Sequence, residues 1–258
     1  MSHLPFSWYG NKRTEYKEFK GVIPLENKLN IIEPFCGSAS ISFALWLEYG
    51  DKFNYYLNDL DDHLIDYFNL LKSVSIDDIF KKMNEIKLRS NTKETFKILI
   101  DEYKIDKDIY KYMCINKISL FGDFTYFRYK VYGNKTSGFR KTIHHIKFQE
   151  FINSPNVFIT KDDWYDCYNR HKDDSQSLII FDPPYLDSYN DCYKQNPNLI
   201  NIYDKLDDIK NDKATSIFII EKINKIEKLF KDWIISIEYD KRYPMKGKNT
   251  IHIMYSNH

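Results

Sequence analysis

A doubly wound, mostly parallel α/β sheet is the fold this sequence predicts, and three observations carry the prediction. Two successive segments, LNIIEPFCGSASISFALWLEYG and FNYYLNDLDDHLIDYFNLLK, each read strand, tight turn, helix. Consecutive βα units of this kind lay their strands parallel. Short apolar runs bounded by turn residues resume after residue 155, and SLIIFD has the unbroken apolar character of a strand covered on both faces. WIISIEY and NTIHIMYS then flank the basic loop DKRYPMKGKN and read as a closing antiparallel pair.

The elements follow in chain order. Leu29 to Ile32 is a short strand, ended by Pro34 and Gly37, with a helix from about Ser38 to Tyr49. Residues 53–57 form the second strand, an acidic turn follows, and a helix runs from about Asp61 to Lys72. From Ile76 to Leu120 the pattern becomes helical: IDDIFKKMNEIKL and TKETFKILIDEY both carry apolar residues at helical spacing. LFGDFTYFRYKVYGNKTSGFRKT is aromatic, basic and glycine-containing, and reads as hairpins or loops. Residues 73–148 therefore read as an insertion into a domain made of 1–72 and 149–258. NVFIT and SIFII are further strands, and NIYDKLDDIKND and KINKIEKLFK further helices.

Composition narrows the class. The chain has 258 residues, enough for one large α/β domain with an insertion. With 21 Tyr, 18 Phe and only eight Gly and eight Pro, it is not a disordered composition. Its richness in Ile, Lys, Asn, Tyr and Asp suits a phage, a large DNA virus or an AT-rich microbe. The net charge of +1 is uninformative, but its distribution is not. Lys111 to Lys147 holds eight Lys/Arg against one acid, Asp123, so this stretch carries +7 and the remainder −6. The four cysteines are widely spaced with no C-x-x-C pair, which argues against a metal site and for free thiols in a reducing compartment. No apolar run reaches the roughly 20 residues of a spanning helix, and MSHLPFSWYGNKR lacks the core of a signal peptide. A cytoplasmic protein without metal or membrane is expected.

Ligands of open parallel sheets bind beyond the carboxyl ends of the strands, and three such ends are polar here. In EPFCGSAS, Gly37 permits a tight turn and close approach of a ligand to backbone; plain turn chemistry is the more common use of such a glycine. In YLNDLDD, Asp59 lies 22 positions later at the next strand end, the distance at which an acid binds ribose hydroxyls in nucleotide sites. Asp59 and Asp61 serve equally well as helix caps. The third end, DPPY at 182–185, sets a carboxylate and a carbonyl beside an aromatic ring. A strand terminator has no need of both prolines and the tyrosine. The group suits a planar, amino-bearing ring, stacked on the tyrosine with its NH₂ held by the acceptors. A nicotinamide oxidoreductase fails on the missing G-x-G-x-x-G.

Together, PFSWYGNK, EPFCGSAS, NDLDDHLIDYFNLLK and FDPPY resemble the Dam-type DNA adenine methyltransferases of the alpha arrangement, from about residue 4 to 255. The resemblance implies a Rossmann-like methyltransferase fold with an antiparallel C-terminal strand and an inserted helical target-recognition lobe at 73–148. It implies transfer of a methyl group from S-adenosylmethionine to the 6-amino group of a flipped-out adenine in double-stranded DNA, by a monomer or homodimer, as in restriction-modification. By position, Trp8, Lys12, Phe35, Gly37 and Asp59 match cofactor contacts, as does Asp163 in TKDDWYD. Asp182, Pro183 and Tyr185 match the catalytic group, with Asp182 also at the methyl donor. Asn116, Arg128, Lys130, Lys135 and Arg140 are the expected nucleic-acid contacts, although no base-reading residue can be matched. Two positions depart from the family pattern: Ala39 replaces the second glycine of the cofactor loop, and Asn11 stands where glycine is frequent. Two rivals share the fold. One is an RNA adenine methyltransferase, and the other an inactive DNA-binding subunit, against which the intact Asp182, Pro183 and Tyr185 argue.

Overall fold

The computed structural model describes residues 3–8, 11–119, 138–183, 199–242 and 249–258. The chain divides into two compact units: Met1–Tyr9 with Asp62–Ser154, and Gly10–Asp61 with Pro155–His258.

The second unit holds a seven-stranded sheet: β1 (Asn30–Glu33), β2 (Asn54–Asn58), β3 (Val157–Thr160), β4 (Ser177–Phe181), β5 (Thr215–Glu221), β6 (Ile234–Arg242) and β7 (Asn249–Ser256). Their spatial order is β3-β2-β1-β4-β5-β7-β6. The first five strands are mutually parallel, and β7 enters antiparallel between β5 and β6. The order reverses between β1 and β4, the switch point at which open α/β sheets bind ligands. This is a Rossmann-like architecture, with the mostly parallel sheet and antiparallel end the sequence predicts. β6 and β7 pair as expected, with a bulge between Ile235 and Ile237.

Helices of this unit are α1 (Tyr16–Phe19), α2 (Ser40–Tyr49), α8 (Trp164–Asn169), α9 (Leu199–Asp204), α10 (Leu206–Lys210) and α11 (Asn224–Leu229), numbered with α3 to α7 of the other unit. One sheet face sends Ile32, Ile179, Phe181, Phe218, Ile220, Ile253 and Tyr255 into a core with Trp164 and Tyr168 of α8, Leu206 and Ile209 of α10, and Ile226 of α11. The alternate residues Ile31, Leu178, Ile180, Ile217 and Ile219 are equally buried. Period-two alternation gives these strands two buried faces, hence their unbroken apolar runs. The helix expected over NIYDKLDDIKND is two helices, broken at Lys205 (φ −104°, ψ 5°), while the buried stripe Ile202, Leu206, Ile209 continues across the break.

The first unit is helical: α3 (Asp62–Ser73), α4 (Ile76–Arg89), α5 (Lys93–Asp106), α6 (Ile109–Ile118) and α7 (Ile143–Ile152). Local chemistry sets the starts. Ser75 caps α4 by accepting from Asp78 N, Asp108 caps α6 by accepting from Lys111 N, and Thr92 with Thr95 forms a capping box on α5. Gln149 of α7 closes the α3–α4 turn, accepting from Ile76 N at 2.8 Å and donating to the carbonyls of Leu71 and Val74. α3, the helix that follows β2 in sequence, clusters with this unit.

Candidate active site

Asp182 follows β4 directly and Lys12 lies in the short 3-10 turn Lys12–Thr14. The structure brings these two together, a pairing the sequence does not reveal. Lys12 Nζ donates to both oxygens of Asp182, each at 2.6 Å, with side-chain exposures of 3% and 17%. Burial would lower the lysine pKa, but Asp182 and Glu15 outweigh it and the net shift is upward, so Lys12 stays charged. Burial pushes the Asp182 carboxyl up, against the pull of Lys12. Lys12 N also donates to Ser40 Oγ at 3.0 Å, tying this turn to the start of α2.

The loop between β1 and α2 is bound to the end of β2. Gly37 N donates to Asp59 Oδ2 at 2.8 Å, and Asp61 N donates to Asp59 Oδ1 at 3.0 Å. Gly37 has φ 47°, a conformation that favours glycine. Asn58 Nδ2 donates to the carbonyls of Pro34 and Asp162, so one amide links the loops after β1, β2 and β3. Phe35 lies along Trp164, ring centroids 6.0 Å apart and planes 25° apart. Asp163 caps α8, accepting from Tyr165 N at 2.9 Å, and is exposed. Burial raises the Asp59 carboxyl to about 6, opposed by the N–H donors of Asp61 and Gly37.

A third acid, Glu33 at the end of β1, is 2% exposed. Its Oε1 accepts from Ser42 N at 2.9 Å, capping the first turn of α2 from the end of the strand that precedes it. Burial lifts its carboxyl to about 7, although the Ser42 donors oppose the shift. The three carboxylates thus stand at the carboxyl ends of β1, β2 and β4, around the switch point of the sheet.

The family model for D12 class N6 adenine-specific DNA methyltransferases matches residues 8–245. The chain belongs to this family. It is an adenine-specific DNA methyltransferase, as the resemblance of its motifs implies. The methyltransferase is also similar in overall architecture to precorrin-6y C5,15-methyltransferase of Geobacter metallireducens GS-15, at 9% identity over 97% of this chain and 93% of that one, TM-score 0.45. An rRNA methyltransferase of Streptomyces viridochromogenes is similar at 10% identity over 94% and 82% of the two chains, TM-score 0.40.

The remaining expected residues fall elsewhere in the methyltransferase. Pro183 is buried beside Asp182, and Tyr185 lies outside the described residues, as do Arg128, Lys130 and Lys135. Trp8 is half-buried in the first unit, and Arg140 is exposed there. Asn116 of α6 is buried, and its Oδ1 accepts from Ser7 N at 2.7 Å, holding the N-terminal segment. Among the described residues there is no group of His, Cys, Asp and Glu able to hold a metal, and no helix long and apolar enough to cross a membrane. Cys36, Cys114 and Cys167 are buried free thiols.

Both departures from the family pattern have a local account. Asn11 sits at φ −58°, where glycine has no advantage, and its Oδ1 caps the 3-10 turn by accepting from Arg13 N. Ala39 keeps the left-handed conformation, φ 52° and ψ 33°. Glu33, Glu15 and Ser40 were not among the expected residues. Only Glu33 carried a signal, as an acid that closes an apolar strand run.

Proposed function

We propose that this enzyme is a Dam-type methyltransferase of the alpha arrangement. It takes S-adenosylmethionine as methyl donor and acts on a flipped-out adenine in double-stranded DNA. The observation that carries the reading is the Lys12–Asp182 ion pair at the end of β4 together with the Gly37–Asp59 contact that joins the ends of β1 and β2: a half-buried carboxylate and a backbone-bound acid at one switch point.

The donor set fits the cofactor. Asp59 already accepts two backbone N–H groups, but a carboxylate has about four acceptor positions, which leaves capacity for ribose hydroxyls. Gly37 would let backbone approach a ligand, Phe35 and Asp163 would border its adenine, and Lys12 would complete the contacts of this unit, while Trp8 is assigned to the cofactor on its match to the family motif alone. When bound, S-adenosylmethionine supplies a methyl group already activated on a sulfonium.

The amine of adenine is a poor nucleophile because its lone pair is delocalised into the ring. Asp182 and the Pro183 carbonyl accept hydrogen bonds from it, favouring a more tetrahedral nitrogen whose lone pair points at the methyl. The nitrogen–methyl bond would form as the sulfonium carbon–sulfur bond breaks and a neutral thioether departs, and the surplus proton on nitrogen would leave towards the Asp182 carboxylate. Tyr185 stacks on the extruded base, offsetting part of the few kcal/mol of unstacking. Arg128, Lys130, Lys135 and Arg140 neutralise phosphates, and Asn116 supports that lobe by fixing Ser7. The reading carries with it an intracellular monomer or homodimer.

Transfer of tritiated methyl from S-adenosylmethionine to unmethylated DNA, with RNA in a parallel reaction, tests this. Label in 6-methyladenine from DNA is expected, and Asp182→Asn should cut the rate by about 10²–10³-fold. Label confined to RNA, or an Asp182→Asn rate equal to wild type, overturns it.

A further inference from the structure

Behind Lys12 stands a second buried carboxylate that the reaction as described does not use. Glu15 follows Lys12 by one turn, and its N–H donates to the Lys12 carbonyl at 3.0 Å. Its side chain is 3% exposed. Tyr239 OH donates to Glu15 Oε2 at 3.0 Å, His252 Nδ1 lies 2.9 Å from the same oxygen, and Lys241 Nζ pairs with Oε1. Three side chains of the β6–β7 hairpin thus converge on one acid, one turn after Lys12. These partners and Lys12 hold its carboxyl down at about 2 despite burial, so it is ionised throughout the working range. Lys12 is thus in direct contact with Asp182 and is also drawn through space by the charge of Glu15, one turn along the same segment.

Hydrogen bonds from the ammonium to both oxygens of Asp182 compete with the substrate amine for the same acceptors. A lysine with no other counter-charge would be held there, since leaving a buried ammonium unpaired is costly. We propose that Glu15 is a positioning residue for methyl transfer: it is the second anchor of Lys12, allowing the ammonium to yield an Asp182 oxygen to the adenine amine without losing its charge partner. The inference rests on the reading of Asp182 as the catalytic acceptor.

Single-turnover methyl transfer across pH, on the full chain with S-adenosylmethionine and DNA, tests it. Among the described residues, the charged and titratable groups around Asp182 are Lys12, Glu15, Glu33, Tyr203 and His252, and around Glu15 also Tyr239 and Lys241. Glu15 disfavours ionisation of Asp182. Glu15→Gln removes that opposition and tightens Lys12 on Asp182. The rate should fall about tenfold, cofactor affinity should stay within about twofold, and the acid limb of the profile should move to lower pH. Glu15→Asp keeps the charge, so it should show a smaller loss with the limb in its wild-type place, and it decides the matter if Glu15→Gln does not fold. A wild-type rate and limb in Glu15→Gln, a loss of rate with no shift of the limb in that variant, or a displaced limb in Glu15→Asp overturns the proposal. Asp182→Asn runs beside them: if it transfers methyl at the wild-type rate, the catalytic reading itself has failed. If it is inactive while Glu15→Gln is normal, only the role of Glu15 has.

Discussion

The ends of β2 and β4 each present an aspartate, and the two are held in opposite ways. Asp59 is gripped by the backbone: its oxygens take the N–H groups of Gly37 and Asp61, neutral donors fixed by the loop. Asp182 is gripped by a side chain, the buried ammonium of Lys12 on both oxygens. Backbone donors cannot leave, so Asp59 is a fixed part of a cradle. A lysine on a flexible stem can move, so Asp182 is held yet releasable. The first arrangement suits a partner that stays bound through the reaction, and the second suits a group that must change hydrogen-bond partners during it.

Removing the mobile cation should have the largest effect. Lys12→Met leaves Asp182 and Glu15 without their shared counter-charge. A buried pair broken on one side costs roughly 3–5 kcal/mol, to be read from urea denaturation. Burial and Glu15 both push the Asp182 carboxyl up, so without Lys12 its acid limb of activity should move to higher pH. A variant as stable as wild type, with an unmoved limb, would show that the two strand ends are held alike.

Glu33 sharpens the comparison, because it caps α2 from β1 at the expense of its own ionisation. Its folded carboxyl sits near 7, against an ordinary 4.5. Between those values the folded state binds more protons than the unfolded one, so this group lowers stability as pH rises from about 4.5 to about 7. Glu33→Gln keeps an acceptor for Ser42 N and abolishes the titration. At pH 8 it should be more stable than wild type by up to roughly 3 kcal/mol, with the gain vanishing near pH 4. A pH-independent difference between the two proteins would rule out a buried, titrating Glu33.

The fixed aspartate should respond less than the lysine. Asp59→Asn retains one acceptor oxygen but turns an amide nitrogen towards the second backbone N–H. The unmade hydrogen bond costs about 1–3 kcal/mol. Affinity for S-adenosylmethionine, measured by calorimetry, should fall while the acid limb set by Asp182 stays in place. Movement of that limb in Asp59→Asn would break the distinction between the cradle and the catalytic end.

The two aspartates of this contrast are readable in the sequence. Strands show as short apolar runs, and β1, β2, β4 and β5 lie within a residue or two of where those runs place them. Asp59 and Asp182 were found because both end such runs. What holds each of them was not legible. The Lys12 and Asp182 partners are 170 positions apart, and those of Glu15 in β6 and β7 more than 200, so only the sheet order brings them together. The order itself depends on β7 entering between β5 and β6, which no local pattern encodes. Asn116 was expected to face nucleic acid, but its position on α6 places its amide oxygen against Ser7 N, a contact over 109 positions.

The smallest effect is expected at Ala39, where the family pattern has glycine. A non-glycine residue in the left-handed region costs roughly 1–2 kcal/mol. Ala39→Gly would remove that strain. It would also give up a fully buried methyl group, about 0.8 kcal/mol, and add roughly 0.5–1 kcal/mol of chain entropy to be lost on folding. These terms nearly cancel, so stability should change by less than about 1 kcal/mol. The loop conformation is already left-handed with alanine in place, and Phe43 N still donates to the Ala39 carbonyl at 2.9 Å. Affinity for S-adenosylmethionine should therefore be unchanged in Ala39→Gly. A tightening of about tenfold would mean that the alanine methyl stands in the way of the cofactor, and that the β1 loop, unlike the Gly37–Asp59 cradle, is not yet set for binding.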